Sequence, residues 1–273
     1  MRNRSLMVIT AHPDDETLGF GGTIARYASE GVDVALVTAT RGDRGRWRGI
    51  APGSPGHPGA PALARIREAE LRAAAAVLGL RTVDVLGHPD GHLDQVDPQR
   101  LVSDLVGHVR RARPTVVLTF GPDGAYGHPD HIAVSQSALA AVLAASDSTH
   151  IDDGQAPHAV SKVYFLAWPA SAWAVYQAAF KRLVSTVDGV ERQAVPWPDW
   201  AITTSIDTRH VAARVHDAVL CHASQTAAYQ GLLDLSSEML EELWGRQSFY
   251  RALSTVNGGR ATEQDLFEGI LDD

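Results

Sequence analysis

The sequence predicts an α/β fold: a Rossmann-like, mainly parallel sheet with helices on both faces and a smaller C-terminal extension. Three observations predict it. Short apolar, β-branched runs without polar alternation recur along the chain, as strands buried on both faces require. Helical patterns alternate with them, which implies βαβ crossovers. At 273 residues the chain can bury the core that such a sheet needs.

Residues 6–10 (LMVIT) are the first such run, and a helix is expected to begin near Leu18. Residues 32–38 (VDVALVT), 82–86 (TVDVL), 115–120 (TVVLTF), 162–167 (KVYFLA) and 201–206 (AITTSI) read as further strands. Residues 62–78 are rich in Ala, Leu, Arg and Glu and stop at Gly79, a suitable helix C-cap. Residues 98–112 and 129–144 follow the same pattern, and 208–221 and 236–251 are expected to be helical too. Residues 41–61 are crowded with Gly, Pro and Arg and cannot form a regular element; a loop of that length in a compact fold serves function or is disordered. Residues 146–157 form a second polar loop. With no repeat and no linker tract, 1–273 is expected to be one domain, in which 1–145 carry the chemistry and 146–273 shape a cleft.

The formal net charge of −8 argues against a nucleic-acid partner, which needs a basic surface. It leaves room for a small anion, because local charge in a cleft can oppose the global sign. Cys221 is the only cysteine, so an intrachain disulfide is excluded, in keeping with a reducing cytoplasm. The apolar run after Met1 is shorter than a signal-peptide core. No stretch approaches the roughly 20 apolar residues of a membrane helix. The expectation is a cytoplasmic protein that acts on a small molecule and has no membrane or nucleic-acid partner. A homo-oligomer is compatible with it.

Two segments carry the chemistry. AHPDDE follows the first strand directly, and Pro13 keeps His12 extended, so the polar residues occupy the turn before a helix. In an open parallel sheet this end of the strands forms the ligand crevice. His12 and three carboxylates (Asp14, Asp15, Glu16) are costly to place there unless a cation or hydrogen bonds offset them. The arrangement recurs after residues 115–120, where GPDGAYGHPDH sets His128 and His131 around Asp130. Two imidazoles and one carboxylate are typical of catalytic zinc with an open coordination position. Such an ion acidifies water and polarises a carbonyl, while a further carboxylate acts as base and a second histidine steadies the oxyanion. An Asp at a helix start is often only a cap, but two such turns at equivalent positions favour a metal site. Spacing alone leaves open which of Asp14 and Asp15 ligates.

AHPDDETLGFGG together with YGHPDH resembles the LmbE/PIG-L family of zinc-dependent de-N-acetylases. The likeness extends to TRGDRG after the second strand, LGHPDG after the third, and HASQ at 222–225. It implies that His12, Asp15 and His131 ligate the metal and that Asp14 is the general base that later protonates the leaving amine. His128 would stabilise the oxyanion or share the acid role, with Asp130 orienting it, and Tyr126 would point its phenol at the substrate carbonyl. The implied reaction removes an N-acyl group, most simply acetyl, from a 2-amino-sugar. Zn2+ is the expected cofactor, and Fe2+ suits the same donors. LGHPDGHLD stands where thiol-pathway members carry an arginine-rich Ser-Gly motif. Alternatives sharing the site are a mycothiol-conjugate amidase and an antibiotic-tailoring deacylase. A zinc-containing carbohydrate-binding protein without turnover would need neither Asp14 nor His128.

For substrate contacts, the resemblance implies Asp90 for sugar hydroxyls, against a plain turn aspartate, and Arg67 as a grip, against a solvated helix face. Trp47, among Arg41, Arg44, Arg46 and Arg48, would stack a sugar if residues 41–61 form a lid, against a solvated loop. LGFGGT at residues 18–23 lacks the spacing of a dinucleotide fingerprint, and close helix-on-sheet packing explains its glycines better. His88 and His92 are separated by Pro89 and Gly91, which removes the helical spacing of paired ligands. His222 reads as a group supporting the site from behind.

Overall fold

The computed structural model describes residues 4–150, 154–180, 184–187, 190–226, 230–233, 235–256, 259 and 261–270. In chain order the elements are β1 (Ser5–Thr10), α1 (Asp15–Ser29), β2 (Asp33–Thr40), α2 (Ala60–Leu78), β3 (Thr82–His88), α3 (Pro98–Ala112), β4 (Val116–Thr119), a kinked single turn α4 (Gly124–Gly127) and α5 (Pro129–Ser146). Then come β5 (Lys162–Leu166), α6 (Trp173–Phe180), β6 (Val184–Val187), β7 (Val190–Gln193), β8 (Thr204–Asp207), α7 (Ala212–Cys221), α8 (Ala223–Thr226), α9 (Ser237–Trp244) and β9 (Arg246–Ser254).

Seven strands form one sheet in the order β3-β2-β1-β4-β5-β9-β8. The first five are parallel, and β9 and β8 continue the sheet in antiparallel fashion. All of β4, and all of β1 except its first residue, are buried, which is why they read as unbroken apolar runs. Helices α1, α2 and α7 pack on one another, and α3 packs on α5, giving two layers that both reach β1. Phe20 of α1 is fully buried against Phe120 and Phe249, with ring centroids 5.8 and 6.5 Å away. A side chain so placed contributes on the order of 2 kcal/mol. The glycines of LGFGGT serve close packing: a Cβ on Gly22 would lie 2.9 Å from the Thr208 side chain and one on Gly21 3.0 Å from Val215. Gly79 caps α2 in the left-handed conformation, as its position in the sequence suggests.

The expected helix over 236–251 is a correction. Ser236 does cap a helix, accepting from the Met239 amide at 3.3 Å, but α9 ends at Trp244 and the rest is strand β9. The aromatic residues Phe249 and Tyr250 suit a pleated strand, and β9 gains partners on both sides, β5 and β8. The small β6–β7 hairpin and α6 have no counterpart in the sequence reading. Part of the polar loop expected at 146–157, residues 151–153, lies outside the described residues. Among the described residues, no helix is long and apolar enough to cross a membrane.

Candidate metal centre and active site

Strand order reverses between β1 and β4, so the turns after these two strands face each other across the crevice. The turn after β1 carries His12, Asp14 and Asp15. The turn after β4 carries Tyr126, His128, Asp130 and His131. They line one pocket of about 330 Å³, except Asp130, which is fully buried behind it.

Three donors converge. His12 Nδ1 lies 3.2 Å from His131 Nε2 and 3.6 Å from Asp15 Oδ2, and His131 Nε2 lies 3.3 Å from Asp15 Oδ1. A tetrahedral ion with bonds near 2.0–2.1 Å separates its donors by about 3.3 Å, so the set matches a zinc-sized cation. Asp15 is held in place, because its Oδ2 accepts from the backbone amides of His12 at 2.8 Å and Ala11 at 3.2 Å. His131 is held flat against Phe120, ring centroids 4.0 Å apart. Its Nδ1 is buried without a hydrogen-bond partner among the described residues.

Behind His12 stand two carboxylates. Its Nε2 meets Asp130 Oδ2 at 3.0 Å and Asp90 Oδ1 at 3.2 Å. Asp130 in turn accepts from the amides of Gly91 at 2.7 Å and Leu93 at 3.0 Å. Carboxylates so placed fix the ring of a ligating histidine and raise its basicity. The orienting role expected for Asp130 thus falls on His12. Toward His128 it offers only its backbone amide, donated to Nδ1 at 3.2 Å. A second cluster, His12, His128 and Asp130, shares this geometry but has these same groups already engaged in hydrogen bonds.

Charge follows position. Burial opposes charge on His12, yet Asp130, Asp15 and Asp90 hold it well above the ordinary imidazole range. Burial works against Asp15 as well, but His131 and His12 bring its carboxyl well below the usual range. Asp90 is held at about 2 against the effect of burial by His12 and the Arg44 amide. His128 is pushed down to about 3 by burial and by His12 and His131. Because its Nδ1 accepts a backbone N–H, the neutral ring carries its proton on Nε2.

Asp14 stands apart. It occupies the N-cap of α1 but makes no capping bond with its side chain, which removes the reading of a plain cap. Its backbone is left-handed, φ 108° and ψ −27°, a conformation costing a non-glycine residue about 1–3 kcal/mol. Burial pushes its carboxyl up to about 6, opposed by Arg67 and His222 and assisted by Asp15 and Glu16. Arg67, buried rather than on a solvated face, reaches Asp14 Oδ2 at 3.2 Å and donates to the carbonyls of Gly42, at 2.8 Å, and Pro13. Gly42 of TRGDRG is required here: its φ is +62°, and a Cβ would collide with the guanidinium.

Of the expected substrate contacts, Arg67 and Asp90 line the pocket, but both are engaged with the turn after β1, Arg67 with Asp14 and Asp90 with His12. Trp47 does not line it. It bridges to Ile50 and lies under Arg48, and the same loop presents Arg44 and Gly45 instead. His88 and His92 meet different partners, Asp104 and Arg44. Glu16 and most of the C-terminal wall of the pocket carry no role expected from the sequence. Glu16 is visible as the last letter of HPDDE. Leu166, Trp168, Val219 and Leu232 carry no signal beyond being apolar.

A profile described as "PIG-L: GlcNAc-PI de-N-acetylase" matches residues 7–142. A 1D-myo-inositol 2-acetamido-2-deoxy-alpha-D-glucopyranoside deacetylase of Rhodococcus jostii is 35% identical, with 99% of each chain covered. The protein of the same name from Kineococcus radiotolerans is 34% identical, over 98% of this chain and 83% of its own. Among solved structures, the conserved protein TT1542 from Thermus thermophilus superposes with a TM-score of 0.65 at 28% identity, over 92% of this chain and 96% of that one.

Proposed function

The chain belongs to the GlcNAc-PI de-N-acetylase (PIG-L) family, and from that premise we propose that it hydrolyses the N-acetyl group of a small molecule built on a 2-amino-sugar. The observation that carries this reading is the convergence of His12 Nδ1, Asp15 and His131 Nε2 beside an aspartate whose side chain makes no capping bond to the helix it begins. We read these three as the ligands of a divalent cation, zinc or ferrous iron. Bound there, it would supply Lewis acidity toward the acetyl carbonyl and make water more acidic.

The protein's own groups do the rest. Asp14 takes the proton of the attacking water as its oxygen bonds to the amide carbon, then delivers it to the nitrogen as the C–N bond breaks, releasing acetate and an amine. His128 offers its Nε2–H to the oxyanion as a neutral donor; its engaged Nδ1 favours this over the acid role. Tyr126, its ring 5.8 Å from that of His128, would turn its phenol toward the same carbonyl. Arg67 holds the Asp14 carboxylate, and Asp130 and Asp90 hold His12. The chemistry then resides in residues 1–145, while 146–273 supply the apolar wall formed by Leu166, Trp168, Val219 and Leu232.

The relatives are named for an inositol-linked 2-acetamido sugar, which makes that compound the first substrate to try. Acetate release from it and from simple N-acetylglucosaminides should be measured with and without a chelator. The reading requires release that the chelator abolishes and that added Zn2+ or Fe2+ restores. Tight sugar binding with no acetate from any of them would identify a binding protein instead.

A further inference from the structure

The Glu16 carboxylate is fully buried and turns back along the chain instead of facing the pocket. Its Oε2 accepts from the Asp14 amide at 2.9 Å, and its Oε1 lies 2.7 Å from His222 Nε2 and also takes the Thr17 hydroxyl. His222 comes from the far half of the chain, at the end of α7, and is 1% exposed. It is anchored in turn, since its carbonyl accepts from the amides of Gln225 and Thr226, each at 2.9 Å. Ser224 beside it bonds Glu70 of α2 through both its amide and its hydroxyl. The hydrogen bonds of Glu16 therefore link the Asp14 turn to the α7–α8 junction, which is tied in turn to α2.

We propose that Glu16 and His222 are positioning residues for Asp14: the buried carboxylate, steadied by the histidine, holds the Asp14 backbone in its left-handed turn and so aims the Asp14 carboxylate into the pocket. The proposal rests on the reading of Asp14 as the general base. Two grips then define the turn. Arg67 holds it by the Pro13 carbonyl and the Asp14 carboxylate, and Glu16 holds it by the Asp14 amide. The strained conformation persists because both act on it. With the Glu16 grip loosened, the peptide can relax toward ordinary helical geometry and carry the carboxylate away from the reacting amide. The base then loses its placement while the metal ligands, held by other bonds, keep theirs.

The test is a double-mutant cycle on the metal-loaded enzyme with an N-acetylglucosaminide as substrate. Glu16→Gln, which breaks the charge pair with His222, should lower kcat by about 10- to 100-fold. KM, metal content and melting temperature should stay near those of the parent. In an Asp14→Ala background the same change should cost less than about twofold, because the residue through which it acts is gone. His222→Asn should show the same pattern and carries the cycle if Glu16→Gln does not fold. An equal fold loss in both backgrounds, or full activity in Glu16→Gln, overturns the positioning role while leaving Asp14 as base. Near-normal turnover of Asp14→Ala alone overturns the reading of the base, and the positioning role with it.

Discussion

At the scale of the residue, the division of labour between Asp14 and Asp15 comes down to what each carboxylate touches. Asp15 is tied to two backbone amides and turned toward two imidazoles, so it is spent on holding charge. Asp14 lines the pocket, and among the described residues its carboxylate is paired with the Arg67 guanidinium at 3.2 Å. Its carboxyl, pushed by burial up to about 6, sets a pH expectation. A base works only when ionised, so kcat/KM should fall as pH drops through that value, and a cation beside Asp15 would shift the fall lower still. The acid limb of the kcat/KM profile should therefore lie at or below about pH 6; a limb well above it contradicts the assignment. The five central residues were legible because histidine and aspartate after a buried strand have few other reasons to cluster. The partners of Asp130 were not: the family resemblance implies His128, whereas its carboxylate crosses to His12 on another strand's turn.

At the scale of the element, the two antiparallel strands at the end of the sheet are tied to it by a buried charge cluster. Glu263 is 1% exposed and accepts from Lys162 of β5 at 2.7 Å, Tyr164 at 2.7 Å, Thr204 of β8 at 2.9 Å and Arg251 of β9 at 2.6 Å. One side chain thus clasps three neighbouring strands. Burial opposes its charge, but Lys162 and the other donors hold the carboxyl below its ordinary range, so its contribution is full near neutrality and lost in acid. Glu263→Ala would leave Lys162, wholly buried, without its counter-ion, and should cost about 3–5 kcal/mol in denaturant melts. A loss under about 1 kcal/mol would mean that water replaces the carboxylate. None of this was visible beforehand. Residues 246–254 carry no alternation that marks an edge or a centre, and only the pairing of β9 with β5 and β8 decides that they form a strand. The parallel strands were readable because burial on both faces writes itself into every residue, as in 116–119.

At the scale of the whole molecule, the topology does the assembling. A strand order that reverses between β1 and β4 brings together two turns more than a hundred residues apart, as the His12–His131 contact shows. The C-terminal half then closes the pocket with an apolar wall and, through His222, reaches back to the catalytic turn. Those C-terminal residues line the pocket, and ordinary apolar side chains give the sequence no mark by which to find them. We propose that His12, Asp15 and His131 bind a metal while Asp14 acts on the substrate. Parallel measurement of metal content and acetate release in Asp14→Ala and His12→Ala tests it most directly. Asp14→Ala should keep its metal and lose nearly all turnover, whereas His12→Ala should lose both; an Asp14→Ala protein with near-normal turnover, or a His12→Ala protein that retains its metal in full, would overturn these roles.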